Sequence, residues 1–360
     1  MRGDIAETVE LLGNMSGTDY RATLLLAICI PTRNRRIVLE ECLASVLPQA
    51  DALGIGVYVS DNGSSDGTWQ ALETLKRQYP WMQIMRHTRD IGPGGNLIGA
   101  VLSSRAQYVW PMGDKLILLP GALEFMVADL VRLHPDAVVV NSSIQDASTV
   151  ERICSSPQSC LTEVGWYTTL CGATVLPRQA WVAALRLQPV VSRDFSNVVV
   201  FFSYLASLST PQVLFSGRVL VQAEKNGGAG DVGGTHYWSA RAVRTLGREW
   251  YDAVMSLPAL YSVDDKLQVV RSYSEHTGFL SHVGLMRLRA QGQVTLQQLS
   301  ADQVPLRVAI SAPWWSAVII SVVPRWMLRP VLYVHPRLML RAMRRRLRLL
   351  RGQQSHRSAQ

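Results

Sequence analysis

From Val304 to the C-terminus the chain has no aspartate, glutamate or lysine, yet that stretch holds eleven arginines. The formal net charge of +9 on 360 residues is therefore a property of one end. The rest keeps 25 of the 36 basic side chains against all 27 acidic ones, so the body is near neutral and a nucleic-acid-binding face is not expected. The cysteines form no C-x-x-C pair. Cys29, Cys42, Cys154, Cys160 and Cys171 are odd in number and scattered, which argues against zinc or thiol-redox chemistry and fits a reduced, cytosolic setting. No G-x-G-x-x-G follows the first apolar run, which argues against a dinucleotide-dependent oxidoreductase. Repeats and low-complexity tracts are also lacking. No apolar run reaches the roughly 20 residues needed to cross a bilayer; residues 308–323 fall short, between Arg307 and Pro324. The first twenty residues carry acids and lack a long apolar run, so they read as an N-terminal extension and not as a secretory signal.

What is present is an alternation of short apolar runs with amphipathic segments, the pattern of β-α units feeding a parallel sheet. Strands are expected at Leu24–Ile30, Ile55–Ser60, Met82–Arg86 and Ala106–Met112, and helices at Ile37–Leu47, Gly67–Tyr79, Gly94–Arg105 and Pro120–Leu133. Further on the pattern weakens to a strand at Ala137–Val140, an apolar stretch at Tyr167–Leu176, and helices at Pro177–Leu185 and Asn197–Leu208. A Gly-rich break at 225–234 (KNGGAGDVGG) is the clearest internal boundary, followed by a helical region over 235–303. The last part, 304–352, pairs an apolar segment with Pro336–Gly352. There Leu340, Met343, Leu347 and Leu350 share one helical stripe and Arg337, Arg341, Arg344, Arg345 and Arg348 the others. That composition suits a helix lying on an anionic membrane surface, and Trp314, Trp315 and Trp326 suit headgroup depth. A helix packed on the body and an RNA-binding arm are the alternatives. Residues 353–360 read as a disordered tail.

Three polar, Gly-rich loops follow consecutive strand runs, at the sheet edge where open α/β domains bind ligands. They are Pro31-Thr32-Arg33-Asn34-Arg35, then Ser60 to Thr68 (SDNGSSDGT), then Gly113-Asp114-Lys115. Singly, each could be an ordinary turn or helix cap. Arg33 and Arg35 carry planar guanidinium forks suited to phosphate oxygens. Asp66 reads foremost as the cap of the helix after it. Arg89 to Asn96 (RDIGPGGN) is either an anion-binding helix start containing Asn96 or a plain Gly-rich turn.

Taken together, AICIPTRNR, VYVSDNGSSDGT, RDIGPGGN and YVWPMGDKLILLPGAL resemble the nucleotide-binding half of family-2 glycosyltransferases with the GT-A fold, and within them the abequosyltransferase-like bacterial group. The likeness covers residues 24–130 well and is thin past 140. It implies a Rossmann-like, mostly parallel GT-A domain over 21–225, with its acceptor half at 137–225, ahead of a mainly helical C-terminal region. It also implies transfer of a sugar from a nucleotide-sugar donor to a glycan or lipid-linked acceptor in surface polysaccharide or lipopolysaccharide assembly; the arginine-rich C-terminal segment adds the expectation of a place at the inner face of the cell membrane. By the same likeness Asp61 accepts from a base N–H, and Pro31, Thr32 and Arg33 wall the base and ribose.

The loop at Gly113 departs from that group, which usually reads Gly-Asp-Asp-Asp and holds a divalent cation on its carboxylates. Here Lys115 and Leu116 stand where two of the acids would be, leaving Asp114 as the one candidate ligand for Mg²⁺ or Mn²⁺. Two readings follow. Lys115 acts as a tethered cation that meets the charge of the leaving diphosphate without metal, or the site has decayed and the chain is a silent scaffold subunit. An inverting transfer needs a base for the acceptor hydroxyl. The likeness points to Asp194, equally readable as a helix cap, with Asp231 weaker and His236 and Trp238 as candidate acceptor-pocket residues.

Overall fold

The computed structural model describes residues 25–143, 151–187, 195–223 and 242–329. The described residues of Met1–Gly234 and Glu249–Val270 form one compact unit, and those of Thr235–Arg248 and Arg271–Gln360 a second.

The first unit opens with β1 (Leu26–Thr32), α1 (Arg36–Leu53), β2 (Gly56–Asp61), α2 (Thr68–Gln78), β3 (Gln83–Arg86), α3 (Pro93–Ser103), β4 (Tyr108–Pro111), β5 (Leu116–Leu118) and α4 (Ala122–Leu133). Five of the seven residues of β1 are an unbroken buried run, as expected of a strand covered on both faces. In α1, Leu39, Cys42, Leu43, Val46, Leu47 and Ala50 make the buried stripe, and Gly54 closes the helix at φ +65° by donating back to Ala50 and Asp51. Pro93 starts α3, where its missing N–H costs no helical bond.

The unit continues with β6 (Ala137–Ser142), β7 (Arg152–Cys154), α5 (Pro157–Val164), β8 (Thr174–Pro177), α6 (Arg178–Leu187), α7 (Ser196–Ala206) and β9 (Val213–Ala223). The nine strands of the described residues run β3-β2-β1-β4-β8-β6-β9-β5, with β7 on β9. The expected mostly parallel sheet is corrected here to a mixed one. The β1–β2, β1–β4, β2–β3 and β6–β9 pairs are parallel, while β4–β8, β5–β9, β6–β8 and β7–β9 are antiparallel. The long strand β9 enters two of the four antiparallel pairs and the parallel pair with β6. Its Ser216-Gly217-Arg218 interruption hides it in the sequence, and a register shift of β6 against it absorbs the irregularity.

The order β3-β2-β1-β4 sets the site. From β1 the chain proceeds outward to β2 and β3, then returns to place β4 on the other side of β1. The sheet edge between β1 and β4 is thus the topological switch point, where the following loops diverge and leave a crevice.

Large aromatics fill the core, and three of them find partners for their polar atoms. Trp110 Nε1 donates to the Gly172 carbonyl at 3.0 Å, Tyr167 Oη to Val140 at 2.7 Å and Tyr261 Oη to Phe202 at 2.8 Å. The helix α8 (Trp250–Met255) and the first half of α9 (Val263–Thr277) belong to this unit, which divides the block 235–303 that the sequence presents as one helical region.

The second unit holds α10 (His282–Ala290), α11 (Leu296–Ala301), α12 (Gln303–Ala309), α13 (Trp314–Val322) and α14 (Arg325–Leu328). The apolar segment 308–323 is not one helix: α12 and α13 meet at 111° across the break before Pro313. No single helix among the described residues is long and apolar enough to cross a membrane. In α13, Ser316, Ala317, Ile320 and Ser321 are buried, while Trp315, Ile319 and Val322 share the opposite, exposed face. Trp326 and Met327 of α14 are exposed as well. The arginine stripe at 336–352 lies outside the described residues.

Candidate functional site

The parallel strands β1, β2 and β3 end level with one another, Thr32 opposite Asp61 and Asp61 opposite Arg86, and β4 ends beside Cys29 of β1. The loops that follow therefore gather at one edge.

At the β1/β4 crevice Thr32, Arg35 and Asp114 come together from positions about eighty residues apart. Thr32 Oγ1 donates to Asp114 Oδ2 at 2.9 Å, and Arg35 Nη1 lies 3.3 Å from Asp114 Oδ1. Asp114 is buried, and a buried carboxylate needs such partners to stay ionised. The Arg35 backbone N–H donates to Thr68 Oγ1 at 3.3 Å, which ties this loop to the start of α2. Lys115 is half-buried in the turn between β4 and β5. Leu116 opens β5, pairs with Ala223 and is buried. It packs against Gly172, whose φ of +120° admits few side chains and where a Cβ would stand 2.3 Å from Leu116 Cδ1. Burial and the charge of Asp114 push the nearby Cys171 thiol up to about 12, so it stays protonated and is no nucleophile near neutral pH.

Asp61 closes β2 with no exposed surface. Its carboxylate accepts from the Ser64 N–H at 3.1 Å and from the Ser64 hydroxyl, and Arg86 Nε approaches at 3.3 Å. Arg86 also donates to the Ser64 carbonyl at 2.8 Å and stacks over Trp69. A base N–H could reach Asp61 only if Ser64 or Arg86 gave way. Arg33 pairs with Asp90, whose other oxygen accepts from Asn62 Nδ2 at 2.7 Å and the Gly92 N–H at 2.8 Å. Asn34, at φ +51°, accepts from the Ser65 N–H at 2.8 Å and donates its own N–H to Ser64 Oγ at 2.8 Å. The first loop is thereby fastened to the second and to the loop after β3.

Asn96 is buried at the start of α3, and its amide is engaged with protein. Ser60 Oγ donates to its Oδ1 at 2.6 Å, while its Nδ2 donates to the carbonyls of Thr32 at 3.2 Å and Ser60 at 3.1 Å. It ties the ends of β1 and β2 to α3. Ser60 has one hydrogen, used toward Asn96, so the imidazole 3.1 Å away must donate from Nε2. Burial lowers the pKa of His87, against an opposing pull from the Asp61 charge, in keeping with that neutral tautomer. Asp66 stands one residue before Gly67, the N-cap of α2, and accepts from the Thr68 N–H at 3.0 Å and the Arg36 N–H at 3.1 Å, so one carboxylate serves two helix starts.

Sequence reasoning missed Ser64, Arg86, His87, Asn62 and Asp90 as members of this network. Asp194, Asp231, His236 and Trp238 lie outside the described residues. Among the described residues no group of three or more His, Cys, Asp or Glu side chains is placed to hold a metal ion.

The class this defines is an α/β domain with a polar loop cluster at its switch point. Residues 27–159 match the family model described as glycosyl transferase family 2, so this part of the chain is a family-2 glycosyltransferase domain. Over 105 residues the chain is 32% identical to abequosyltransferase RfbV of Salmonella typhimurium, covering 29% of this chain and 32% of that one. Over 103 residues it is 28% identical to a Campylobacter jejuni protein named GalNAc(5)-diNAcBac-PP-undecaprenol beta-1,3-glucosyltransferase, covering 28% of this chain and 33% of that one. The chain thus matches about a third of the length of each of these relatives. Among solved structures, S. aureus TarS 1-349 in complex with UDP-GlcNAc superposes with a TM-score of 0.49 at 14% identity, over 71% of this chain and 75% of that one. Mannosyltransferase PcManGT from Pyrobaculum calidifontis, in complex with GDP-Man and Mn²⁺, superposes with a TM-score of 0.48 at 15% identity, over 94% of this chain and 91% of that one.

Proposed function

We propose that the chain is an inverting glycosyltransferase that moves a sugar from a nucleotide-sugar donor to a glycan or lipid-linked acceptor in bacterial surface-polysaccharide or lipopolysaccharide assembly. The observation that carries this reading is the convergence of Thr32, Arg35 and Asp114 at the β1/β4 crevice, inside a family-2 domain. Pro31, Thr32 and Arg33 wall the base and ribose, Asp61 meets the base once Arg86 or Ser64 yields, and Asn96 holds the loops in register. In the transfer, the acceptor hydroxyl oxygen bonds to the anomeric carbon from the face opposite the phosphate. The carbon–phosphate-oxygen bond breaks, the nucleoside diphosphate leaves with the electron pair, and the acceptor proton passes to a carboxylate, for which Asp194 remains the proposal. Lys115 in the turn after β4 adds positive charge for the leaving diphosphate.

The setting we propose is the cytoplasmic face of the cell membrane. The exposed Trp315, Ile319 and Val322 face, with Trp326, Met327 and Arg325 beyond it, has the composition of a headgroup-level surface. The name of the C. jejuni relative carries an undecaprenyl-linked acceptor, which supports the same class of acceptor here. Truncation at residue 304 should abolish sedimentation with anionic liposomes, and unchanged binding would contradict the membrane assignment.

The replacement of two loop acids by Lys115 and Leu116 favours a second reading, a donor-binding scaffold without turnover. Nucleoside diphosphate release from a panel of nucleotide sugars separates the two: release supports the transferase, and retained donor binding without release supports the scaffold.

A further inference from the structure

We propose that Arg35 occupies, on Asp114, the place that a divalent cation would take, so that this site binds its nucleotide diphosphate through a fixed guanidinium and without metal. The inference rests on the donor-binding reading above and assigns the chemistry of that same site. A Mg²⁺-type ion needs oxygen ligands in near-octahedral array and approaches through carboxylates whose charge is available. Asp114 does not offer that. One of its oxygens accepts from Thr32 Oγ1 at 2.9 Å and the other faces Arg35 Nη1 at 3.3 Å, with both side chains of the ion pair largely shielded, 18% and 11% exposed. A doubly charged ion on Asp114 would sit against the guanidinium. The position two residues on cannot supply a second ligand, because Leu116 is buried in β5 and packed over Gly172.

What the crevice does offer is an arginine held at both ends: its backbone N–H on Thr68 Oγ1 and its guanidinium Nη1 on Asp114. A guanidinium carries five donors in a planar fork, and the contact with Asp114 engages one of its nitrogens. Its remaining edge suits two oxygens of a diphosphate at the switch-point crevice. Asp114 is in this account a positioning residue for Arg35, not a ligand.

The test uses the full chain, titrated calorimetrically with UDP, GDP, CDP and dTDP in EDTA and again in millimolar MnCl₂, with Mn²⁺ binding followed by electron paramagnetic resonance. The nucleotide that binds should do so with affinities within about threefold in the two buffers, and its addition should not immobilise Mn²⁺ on the wild-type protein beyond what free nucleotide binds. Arg35→Ala should weaken binding in EDTA by about tenfold or more, and Arg35→Lys, which keeps the charge and loses the fork, by less. Arg35→Ala should also gain a Mn²⁺ response that the wild type lacks, because Asp114 is released; a purely structural role for Arg35 would not create one. Thermal unfolding of both variants reports whether the fold is kept. The proposal is overturned if Mn²⁺ tightens wild-type binding about tenfold, or if folded Arg35→Ala binds unchanged in EDTA. Sugar transfer that occurs only with Mn²⁺ overturns this proposal and leaves the transferase reading standing. Metal-free binding without transfer does the reverse, and a protein that binds none of the four nucleotides in either buffer overturns both.

Discussion

Removing the Asn96 amide tests how the site is held together. In Asn96→Ala, Ser60 Oγ loses its acceptor, and the carbonyls of Thr32 and Ser60 lose donors in a region where all the groups concerned are buried. Each net hydrogen bond is worth about 1 kcal/mol, and a buried partner left unpaired costs about as much or more, so a loss near 3 kcal/mol is expected. Unfolding entropy is about 2.1 cal/mol/K per residue; a cooperative unit of roughly 200 residues then loses about 7 °C in Tm. Differential scanning calorimetry reads that directly. Asn96→Asp is the sharper variant, because a carboxylate cannot donate to two carbonyls and should destabilise at least as much at neutral pH. A Tm within about 2 °C of wild type for both variants would refute the claim that Asn96 ties β1 and β2 to α3.

Other consequences are open to simple assays. Asp66→Ala removes the acceptor shared by two helix starts at about 1 kcal/mol each, and should lower Tm by about 5 °C and loosen the Thr68 hydroxyl on which the Arg35 N–H rests. Burial works against the charged form of Asp66, but hydrogen bonds from Thr68 and the Arg36 N–H outweigh it and depress the pKa; its stabilisation is present above the unfolded carboxylate value and fades as pH falls through the folded one. For His87 the folded pKa also lies below its ordinary value, so the unfolded chain binds the proton first and stability should fall as pH drops below about 6.5. A His87→Gln variant should flatten that part of the pH profile of chemical denaturation. Gly172→Ala forces a Cβ into Leu116 at a positive φ, and should cost about 1–3 kcal/mol and disturb the Asp114 turn, seen as weaker nucleotide binding.

The half of the fold that builds the crevice was legible because its signals are local. The apolar runs of β1, β2 and β4 and the stripe of α1 mark themselves within a few residues, and the loop sequences between them carry the family likeness. The strand β9 was not legible, since Ser216-Gly217-Arg218 breaks its apolar run, nor was β5, which is only three residues long. The turn after Ala309 could not be read from hydropathy, which registers residues 308–323 as one apolar stretch and carries no information on the direction of two short helices. In the site, residue types were readable and pairings were not. Arg35 looked like a phosphate ligand and Asp114 like a metal ligand; that they face each other depends on the return of the chain from β3 to β4, a relation seventy-nine residues long. Asn96 looked like an anion-site residue, and only the approach of two strand-end carbonyls reveals its tie.

The central claim is that the Thr32–Arg35–Asp114 crevice serves sugar transfer. Its most direct test is nucleoside diphosphate release by the purified chain from UDP-, GDP-, CDP- and dTDP-linked sugars, with and without a bacterial lipid-linked glycan extract. Release from one donor that rises with the extract, persists in EDTA and falls in Arg35→Ala is the predicted result. Donor binding with no release from any of them, in EDTA or in Mn²⁺, would contradict it.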